Sequence, residues 1–150
     1  MRAFSDLLEA LLFSPRRTVK LAHLVNWIRS TDAPERGWGL AALTADLSFS
    51  AVKAGAVREL AGQVTDPDLF ALSYDFVGDL AETVALLWPD PESISEEKKP
   101  SLSQVVSVLT SIQRKDAVLQ LSDWMNELKV SERWALSLIH ISEPTRLPGI

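Results

Sequence analysis

The sequence predicts an all-α fold, a single compact domain of about eight helices. Apolar residues recur at helical spacing along almost the whole chain, and no long stretch alternates with the period of two that a strand requires. With 150 residues and 47% hydrophobic content, the chain is long enough to bury one core and short for two domains.

Three helices are predicted in the first third of the chain. The first carries its apolar side chains at Phe4, Leu7, Leu8, Leu11 and Leu12. The second has an apolar stripe at Leu21, Leu24, Val25 and Ile28. Ser14 and Pro15 suit the cap and first turn of that second helix. We expect the third helix to extend from Pro34 to about Asp46.

Three further helices are predicted before residue 89. Ser48 or Ser50 is expected to cap the fourth, which leaves Lys53 and Arg58 available to solvent or ligand. The apolar face of this fourth helix is predicted to contain Val52, Ala56 and Leu60. Asp66 with Pro67 is expected to begin the fifth helix, and Gly78 with Asp79 the sixth.

A polar, proline-bounded stretch at residues 89–100 is typical of a mobile surface loop. Two helices are predicted after it. Their apolar stripes consist of Leu102, Val105, Val106, Leu109 and Ile112 in the seventh and of Ala117, Leu121, Trp124 and Leu128 in the eighth. Stacked helix pairs of the solenoid kind fit the same periodicity, although no convincing internal repeat is visible.

Composition excludes several classes of function. The chain has no cysteine, which excludes disulfides, thiolate metal sites and thiol nucleophiles and suits a reducing compartment. Its apolar runs are shorter than the roughly 20 residues of a spanning helix. We also recognise no targeting segment, so we expect a cytoplasmic location and no membrane partner. The net charge of -5 opposes general nucleic-acid binding, so any DNA contact must use a local basic patch.

The C-terminal residues have a different character from the rest of the chain. Residues 136–146, Leu-Ser-Leu-Ile-His-Ile-Ser-Glu-Pro-Thr-Arg, resemble the translation of a sequencing adapter. We therefore interpret residues 137–150 as a non-native tail that replaces the natural continuation of the gene. Such a tail is not expected to help stability, since Pro144 and Pro148 disfavour a continuing helix. The alternative is an ordinary amphipathic C-terminal segment.

No motif for catalysis or metal binding is visible. The chain has neither a phosphate-binding Gly-x-x-x-x-Gly-Lys loop nor a Gly-x-Ser-x-Gly nucleophile turn, and its two histidines lack metal-ligand spacing. An acidic cluster at Asp75, Asp79 and Glu82 is compatible with acid–base chemistry or a hard cation. Helix capping by Asp79 is the simpler interpretation, because a carboxylate favours the positive end of a helix.

One basic cluster has the spacing of an anion site. Arg16, Arg17 and Lys20 lie in the first turns of the predicted second helix, and Arg16 and Lys20 are four residues apart on one face. A helix N-terminus adds unpaired amides that favour a phosphate. The alternative is a solvated face whose cations the helix dipole opposes by about 0.3–1 kcal/mol each.

The five tryptophans invite a base-stacking interpretation, because single-strand binders stack bases on aromatic side chains. Trp88 and Trp124 lie on apolar stripes and are expected in the core. Trp27 lies beside its stripe, which suits a surface or inter-helix contact. The tryptophans alone therefore specify no nucleic-acid module.

Four segments together resemble the bacterial ATP-dependent DNA ligases. They are residues 2–8 (Arg-Ala-Phe-Ser-Asp-Leu-Leu), residues 14–21 (Ser-Pro-Arg-Arg-Thr-Val-Lys-Leu), residues 36–44 (Arg-Gly-Trp-Gly-Leu-Ala-Ala-Leu-Thr) and residues 70–88. The last is the most specific, because its Gly-Asp-Leu-Ala-Glu-Thr at residues 78–83 is similar to a motif of the helical DNA-binding domain of the larger ligases. The resemblance spans residues 1 to about 136.

The resemblance implies an N-terminal domain that holds nicked duplex DNA through backbone contacts during repair, replication or recombination. Carried onto this chain, it implies that Arg16, Arg17, Lys20 and Lys53 contact phosphates and that Gly78 lets the backbone approach the DNA closely. The parent enzyme would use ATP and Mg²⁺, and we expect a monomer. The adenylation motif Lys-x-Asp-Gly does not occur in the chain, so this part of the enzyme is expected to hold no cofactor and to be inactive alone. The alternative function is a helical-repeat module for protein partners without catalytic activity.

Overall fold

The computed structural model describes residues 1–44, 46–47 and 49–141. Within these residues the chain forms helices and connecting segments and contains no strand, which confirms the all-α prediction. The helices are α1 Arg2–Phe13, α2 Arg17–Ser30, α3 Ala33–Leu43, α4 Ala54–Val64, α5 Pro67–Val77, α6 Leu80–Leu87, α7 Leu102–Ser111, α8 Arg114–Glu127 and α9 Val130–Ile141. A single 3₁₀ turn covers Glu96–Lys98. The predicted number was about eight, and the additional helix is α9.

The first helix forms its buried stripe as predicted. Phe4, Leu7, Leu8 and Leu11 are almost completely buried, because their spacing places them on one side of α1. That side packs against α2 and α9. Leu12, which was expected on the same stripe, is half exposed.

The second helix differs from the prediction in its start and in its buried face. Ser14 and Pro15 precede the helix, and Arg16 is its N-cap residue without a side-chain capping bond. Leu21 and Val25 of the predicted stripe are exposed, whereas Trp27 is buried and lies 6.0 Å from Phe4 between ring centroids. The larger indole occupies the contact with α1, while Leu24 and Ile28 of the predicted stripe are partly buried against the core.

The boundaries of α3 and α4 were also predicted imperfectly. The third helix ends at Leu43, before Asp46, because the Asp46 amide reaches back to the Ala41 carbonyl and closes a wider turn (2.8 Å). The fourth helix has Lys53 at its N-cap, and Val52 is buried just before it. Ser50 is therefore not the cap, and Ser48 lies outside the described residues.

At the junctions around α5 and α6, Asp66 and Asp79 begin helices as predicted, whereas Gly78 ends α5 instead of opening α6. The Asp66 carboxylate caps α5 by accepting hydrogen bonds from the Asp68 and Leu69 amides (2.9 and 3.0 Å). Gly78 ends that helix in the left-handed conformation, with φ of 74°. The Asp79 carboxylate then caps α6 by accepting from the Glu82 amide (3.0 Å).

The connection from residue 89 to 100 is anchored to α9, contrary to the expectation of a mobile surface loop. Lys99 is buried and donates hydrogen bonds to Glu132 (2.8 Å) and Glu96 (2.9 Å). Burial opposes the ammonium, but these two hydrogen bonds outweigh it and raise the pKa of Lys99. Asp90 pairs with the buried Arg133 (3.0 Å). The stretch is polar, as predicted, but the side chain of Lys99 is buried within the fold.

Helices α7 and α8 form where the sequence predicts them. Ser101 and Gln104 make a capping box at the start of α7, with each side chain accepting a hydrogen bond from the other residue's amide. Leu109 and Leu121 are fully buried, as their stripes predict. Ile112 lies just beyond the last turn of α7.

The ninth helix extends through the residues that were expected to be an unpacked tail. Ser137, Leu138 and Ile139 are buried, because α9 lies between α1 and α6 and is enclosed from both sides. The burial of these side chains opposes the expectation that the tail does not help stability, whereas the origin of residues 137–150 stays a prediction. Pro144 and Pro148 lie outside the described residues.

Arg133 joins three parts of the fold at the centre of this arrangement. Its guanidinium is fully buried and donates to the Ala85 carbonyl of α6 (3.1 Å), the Leu128 carbonyl after α8 (2.8 Å) and Asp90. Buried charges need such complete pairing.

No helix among the described residues combines the length and the apolar character needed to cross a membrane.

Candidate nucleic-acid interface

The start of α2 presents two exposed cations. Arg16 is the N-cap residue and Arg17 the first helical residue, and both side chains are exposed. The first turn contains no acidic residue. The first amides of a helix lack intrahelical acceptors, so this end combines exposed N–H dipoles with two positive side chains. The arrangement favours an anion such as a phosphate.

Lys20 lies one turn further along α2. Its amide donates to the Arg16 carbonyl (3.1 Å), which closes the first turn of the helix. Its side chain is half-buried, and the residue has a further interaction within the chain. Lys20 is thus close to Arg16 in space, as the four-residue spacing predicts, but it is less available to a ligand than the two arginines.

Lys53 belongs to a second helix end. It is exposed at the N-cap of α4, whose first turn also lacks acidic residues. The main partner of α2 is α1, whereas α4 packs against α5, α6 and α8. The structure therefore brings Arg16, Arg17 and Lys20 together at one helix start and places Lys53 at another.

Gly78 is accounted for by backbone geometry. Its positive φ is unfavourable for a residue with a side chain, and a Cβ built there would meet no atom within 4 Å. The adjacent Asp79 carboxylate occupies the N-terminus of α6, and Glu82 follows one turn later. These carboxylates oppose a phosphate at the position that the resemblance assigns to Gly78.

Arg58 is exposed, as the sequence predicts, and its side chain also contacts an aromatic ring. Its guanidinium carbon lies 4.7 Å from the centroid of the Tyr74 ring, so that the charge sits over the face of the aromatic ring. Tyr74 is itself stacked near Phe70, with ring centroids 6.5 Å apart. The contact ties α4 to α5.

The tryptophans form no exposed stacking platform. Trp88 and Trp124 are buried as predicted, and the Trp88 indole donates to Asn126 (2.9 Å). Trp27 is also buried, and Trp134 is half-buried against the core. Trp38 on α3 is 38% exposed. Base stacking on several tryptophan rings therefore has no support in this arrangement.

The acidic cluster acts in capping, as the simpler interpretation held. Asp79 caps α6, and Asp75 is exposed on α5. Over the described ranges of the chain, no three His, Asp or Glu side chains are grouped so as to hold a metal ion.

Comparisons of the chain with protein-family models, curated proteins and solved structures found no match.

Proposed function

We propose that this chain is the DNA-binding domain of a bacterial ATP-dependent DNA ligase, which holds nicked duplex DNA while a separate domain carries the chemistry. The observation that supports it most is the run at residues 70–88, with Gly-Asp-Leu at its centre. This run folds as α5, a left-handed Gly78 and the Asp79-capped α6. Gly78 ends one helix and Asp79 caps the next, so the order of these residues in the motif suits a junction between two helices.

The electrostatics of two helix starts also support the proposal. Arg16 and Arg17 are exposed at α2 and Lys53 at α4, and neither first turn contains an acid that would neutralise them. Contacts of this kind position a protein on the phosphate backbone without reading base sequence. Few cations on a chain of net charge -5 give weak affinity, which suits a domain that shares its DNA with the rest of an enzyme.

The second candidate is a helical module that binds protein partners. An exposed apolar stripe on α5, formed by Leu69, Leu72 and Phe76, favours it. The packing of α1 against α9 favours a closed domain over a repeat array, in which each unit contacts its neighbours alone. Salt separates the two candidates, because phosphate contacts weaken steeply with ionic strength and apolar contacts do not.

Fluorescence anisotropy with a labelled nicked duplex tests the proposal. Replacing Arg16, Arg17 and Lys20 with Gln is expected to weaken binding by about tenfold or more, equally on two unrelated DNA sequences. A double variant that retains Lys20 guards against a folding defect, since this side chain is half-buried.

The matched control replaces Arg29, Arg114 and Lys115 with Gln, which removes the same charge from exposed positions elsewhere. We expect it to bind nearly as well as the unmodified chain. An equal loss in the control would assign the binding to net charge alone, and an unchanged affinity in the triple variant would refute the assigned patch.

A further inference from the structure

An open groove of about 810 Å³ lies between α1, α6 and α9. Its floor is one face of α9, where Val130, Trp134 and Leu138 follow one another at intervals of four residues. Because α9 packs against both α1 and α6, those two helices form the walls. The segment after α6 also lines the groove, through Asp90 and Ile94.

The walls of the groove expose large apolar side chains to solvent. Phe13 at the end of α1 is 78% exposed, and Leu12, Leu86 and Ile94 are each about half exposed. Single exposed apolar residues are normal on a protein surface. Several of them around one concavity are typical of an interaction site. Leu86 also borders a second hollow beside α5, so the apolar surface continues beyond the groove.

The charged residues that line the groove are mostly acidic. They are Glu9, Asp79, Glu82, Asp90 and Lys129. Asp90 pairs with Arg133 but remains 76% exposed, so it still faces an incoming partner. This charge repels a phosphate backbone and attracts a cationic ligand. None of Arg16, Arg17 and Lys53 lines the groove, although Asp79 directly follows Gly78 and Phe13 lies three residues before Arg16.

We propose that this groove binds an amphipathic helix of a partner protein, with apolar residues on one face and Lys or Arg on its flanks. Apolar grooves of this shape accept helices through anchors spaced three or four residues apart. The eight-residue span from Val130 to Leu138 corresponds to about 12 Å, or roughly two helical turns. The carboxylates would select basic helices over acidic ones. The inference goes beyond the proposed DNA function and does not depend on it.

Two designed peptides test the proposal with the full chain. Both are helices of about 15 residues with Leu along one face, and the other face is Lys in one peptide and Glu in the other. By isothermal titration calorimetry, the Lys peptide is expected to bind at least about tenfold more tightly than the Glu peptide.

Variants locate the binding. Phe13→Ser is expected to weaken binding of the Lys peptide about tenfold, because the substitution removes an apolar side chain that anchors the peptide. Leu119→Ser on α8, where Leu119 is 66% exposed, is the matched control and should leave binding unchanged. Both variants should keep the unmodified affinity for nicked DNA, so this test and the test of DNA binding fail independently.

The charge contribution has its own pair of variants. Glu9→Gln combined with Glu82→Gln is expected to weaken the Lys peptide about fivefold, since each exposed ion pair contributes modestly. Glu59→Gln with Asp75→Asn removes the same charge outside the groove and should have little effect. Equal binding of the two peptides, no binding of either, or indifference to Phe13→Ser would overturn the proposal. Self-association that Phe13→Ser abolishes would overturn it too, because the occupant would then be a second copy.

Discussion

Two glycines perform different tasks in this fold. Gly78 supplies a positive φ that ends α5, and no neighbouring atom restricts the space around it. Gly39 lies inside α3, where a Cβ would collide with the Trp27 indole. The absence of a side chain at Gly39 therefore makes room for the Trp27 indole against α3. Sequence alone does not distinguish these tasks, because both depend on what lies next to the residue.

Gly39→Ala is expected to destabilise the protein by about 1–3 kcal/mol, because the added methyl group overpacks the Trp27 contact. Gly37→Ala in the same helix meets open space and should stabilise by about 0.5–1 kcal/mol through its higher helix propensity. Urea unfolding of the two variants gives both values. Similar changes of the same sign in both would contradict the close packing of Gly39 on Trp27.

At the scale of elements, the predictable boundaries are those with a local chemical cause. Asp66 and Asp79 act as caps and Gly78 as a helix end, which needs no knowledge of the rest of the fold. The buried face of α2 was predicted only in part, since Leu24 and Ile28 pack against the core but Leu21 and Val25 are exposed. Which side chains of α2 are buried depends on its neighbours. Trp27 packs against Phe4 of α1 and Gly39 of α3, and these contacts are not visible in the sequence of α2 alone.

The capping of α7 by Glu35 of α3 could not be predicted from the sequence. The Glu35 carboxylate in α3 accepts hydrogen bonds from the Leu102 and Ser103 amides at the start of α7 (3.0 and 2.8 Å). Partial burial opposes ionisation of Glu35, but hydrogen bonds with Ser103 and Leu102 outweigh it and lower the pKa of this carboxyl group. Glu35 and Leu102 are more than 60 residues apart in the sequence, so no local sequence pattern predicts their contact.

Glu35→Gln is expected to cost about 1–2 kcal/mol at neutral pH, because it weakens charge-assisted hydrogen bonds to two amides. A lowered pKa contributes stability above the ordinary value of 4.5, and that contribution is lost as the pH falls through the folded-state pKa. The difference from the unmodified protein should therefore shrink between about pH 7 and about pH 3 in urea unfolding.

Glu92→Gln changes an exposed carboxylate outside α3 and α7 and serves as the control. It is expected to leave stability within about 0.5 kcal/mol at either pH. A stability difference for Glu35→Gln that is constant with pH would contradict the role of its charge at the N-terminus of α7.

At the scale of the whole molecule, α9 is the element that closes the fold. It packs on α6 and α1, and its buried Glu132 and Arg133 form ion pairs with Lys99 and Asp90. Sequence analysis missed this helix because resemblance to an adapter removed its C-terminal half from consideration. The other eight helices were predicted, some from apolar stripes that are visible without knowing what they pack against and others from proline and capping residues at their starts.

Ile139→Ala tests whether α9 completes the core. The side chain is buried, so truncation is expected to cost about 2–4 kcal/mol. Leu119→Ala on α8 is the exposed control and should stay within about 0.5 kcal/mol of the unmodified protein. Equal, small effects in urea unfolding would show that residue 139 does not pack as described.

The candidate sites differ in how far sequence reveals them. Arg16, Arg17 and Lys20 are neighbours in the chain, so their proximity is predictable from helical spacing. The acidic groove combines residues from α1, α6, α9 and the segment after α6. Their assembly depends on tertiary packing, and each residue alone looks like ordinary surface.

The proposal that adenylation chemistry lies outside this chain leads to a simple prediction. No Lys occurs in a Lys-x-Asp-Gly motif, and an ordinary lysine is protonated at neutral pH and a poor nucleophile. Incubation with labelled ATP and Mg²⁺, followed by denaturing electrophoresis, is expected to show no labelled protein. A covalent AMP label would place the nucleophile within these residues and refute the prediction.

The salt dependence of binding to a nicked duplex tests the central proposal most directly. If Arg16, Arg17, Lys20 and Lys53 all contact phosphates, the logarithm of the binding constant should fall against the logarithm of salt concentration with a slope of about -3 to -4. Replacing the first three with Gln should reduce that slope to about -1, with one contact remaining. A slope near zero, or a slope that the triple variant leaves unchanged, would contradict a DNA-binding surface at the start of α2.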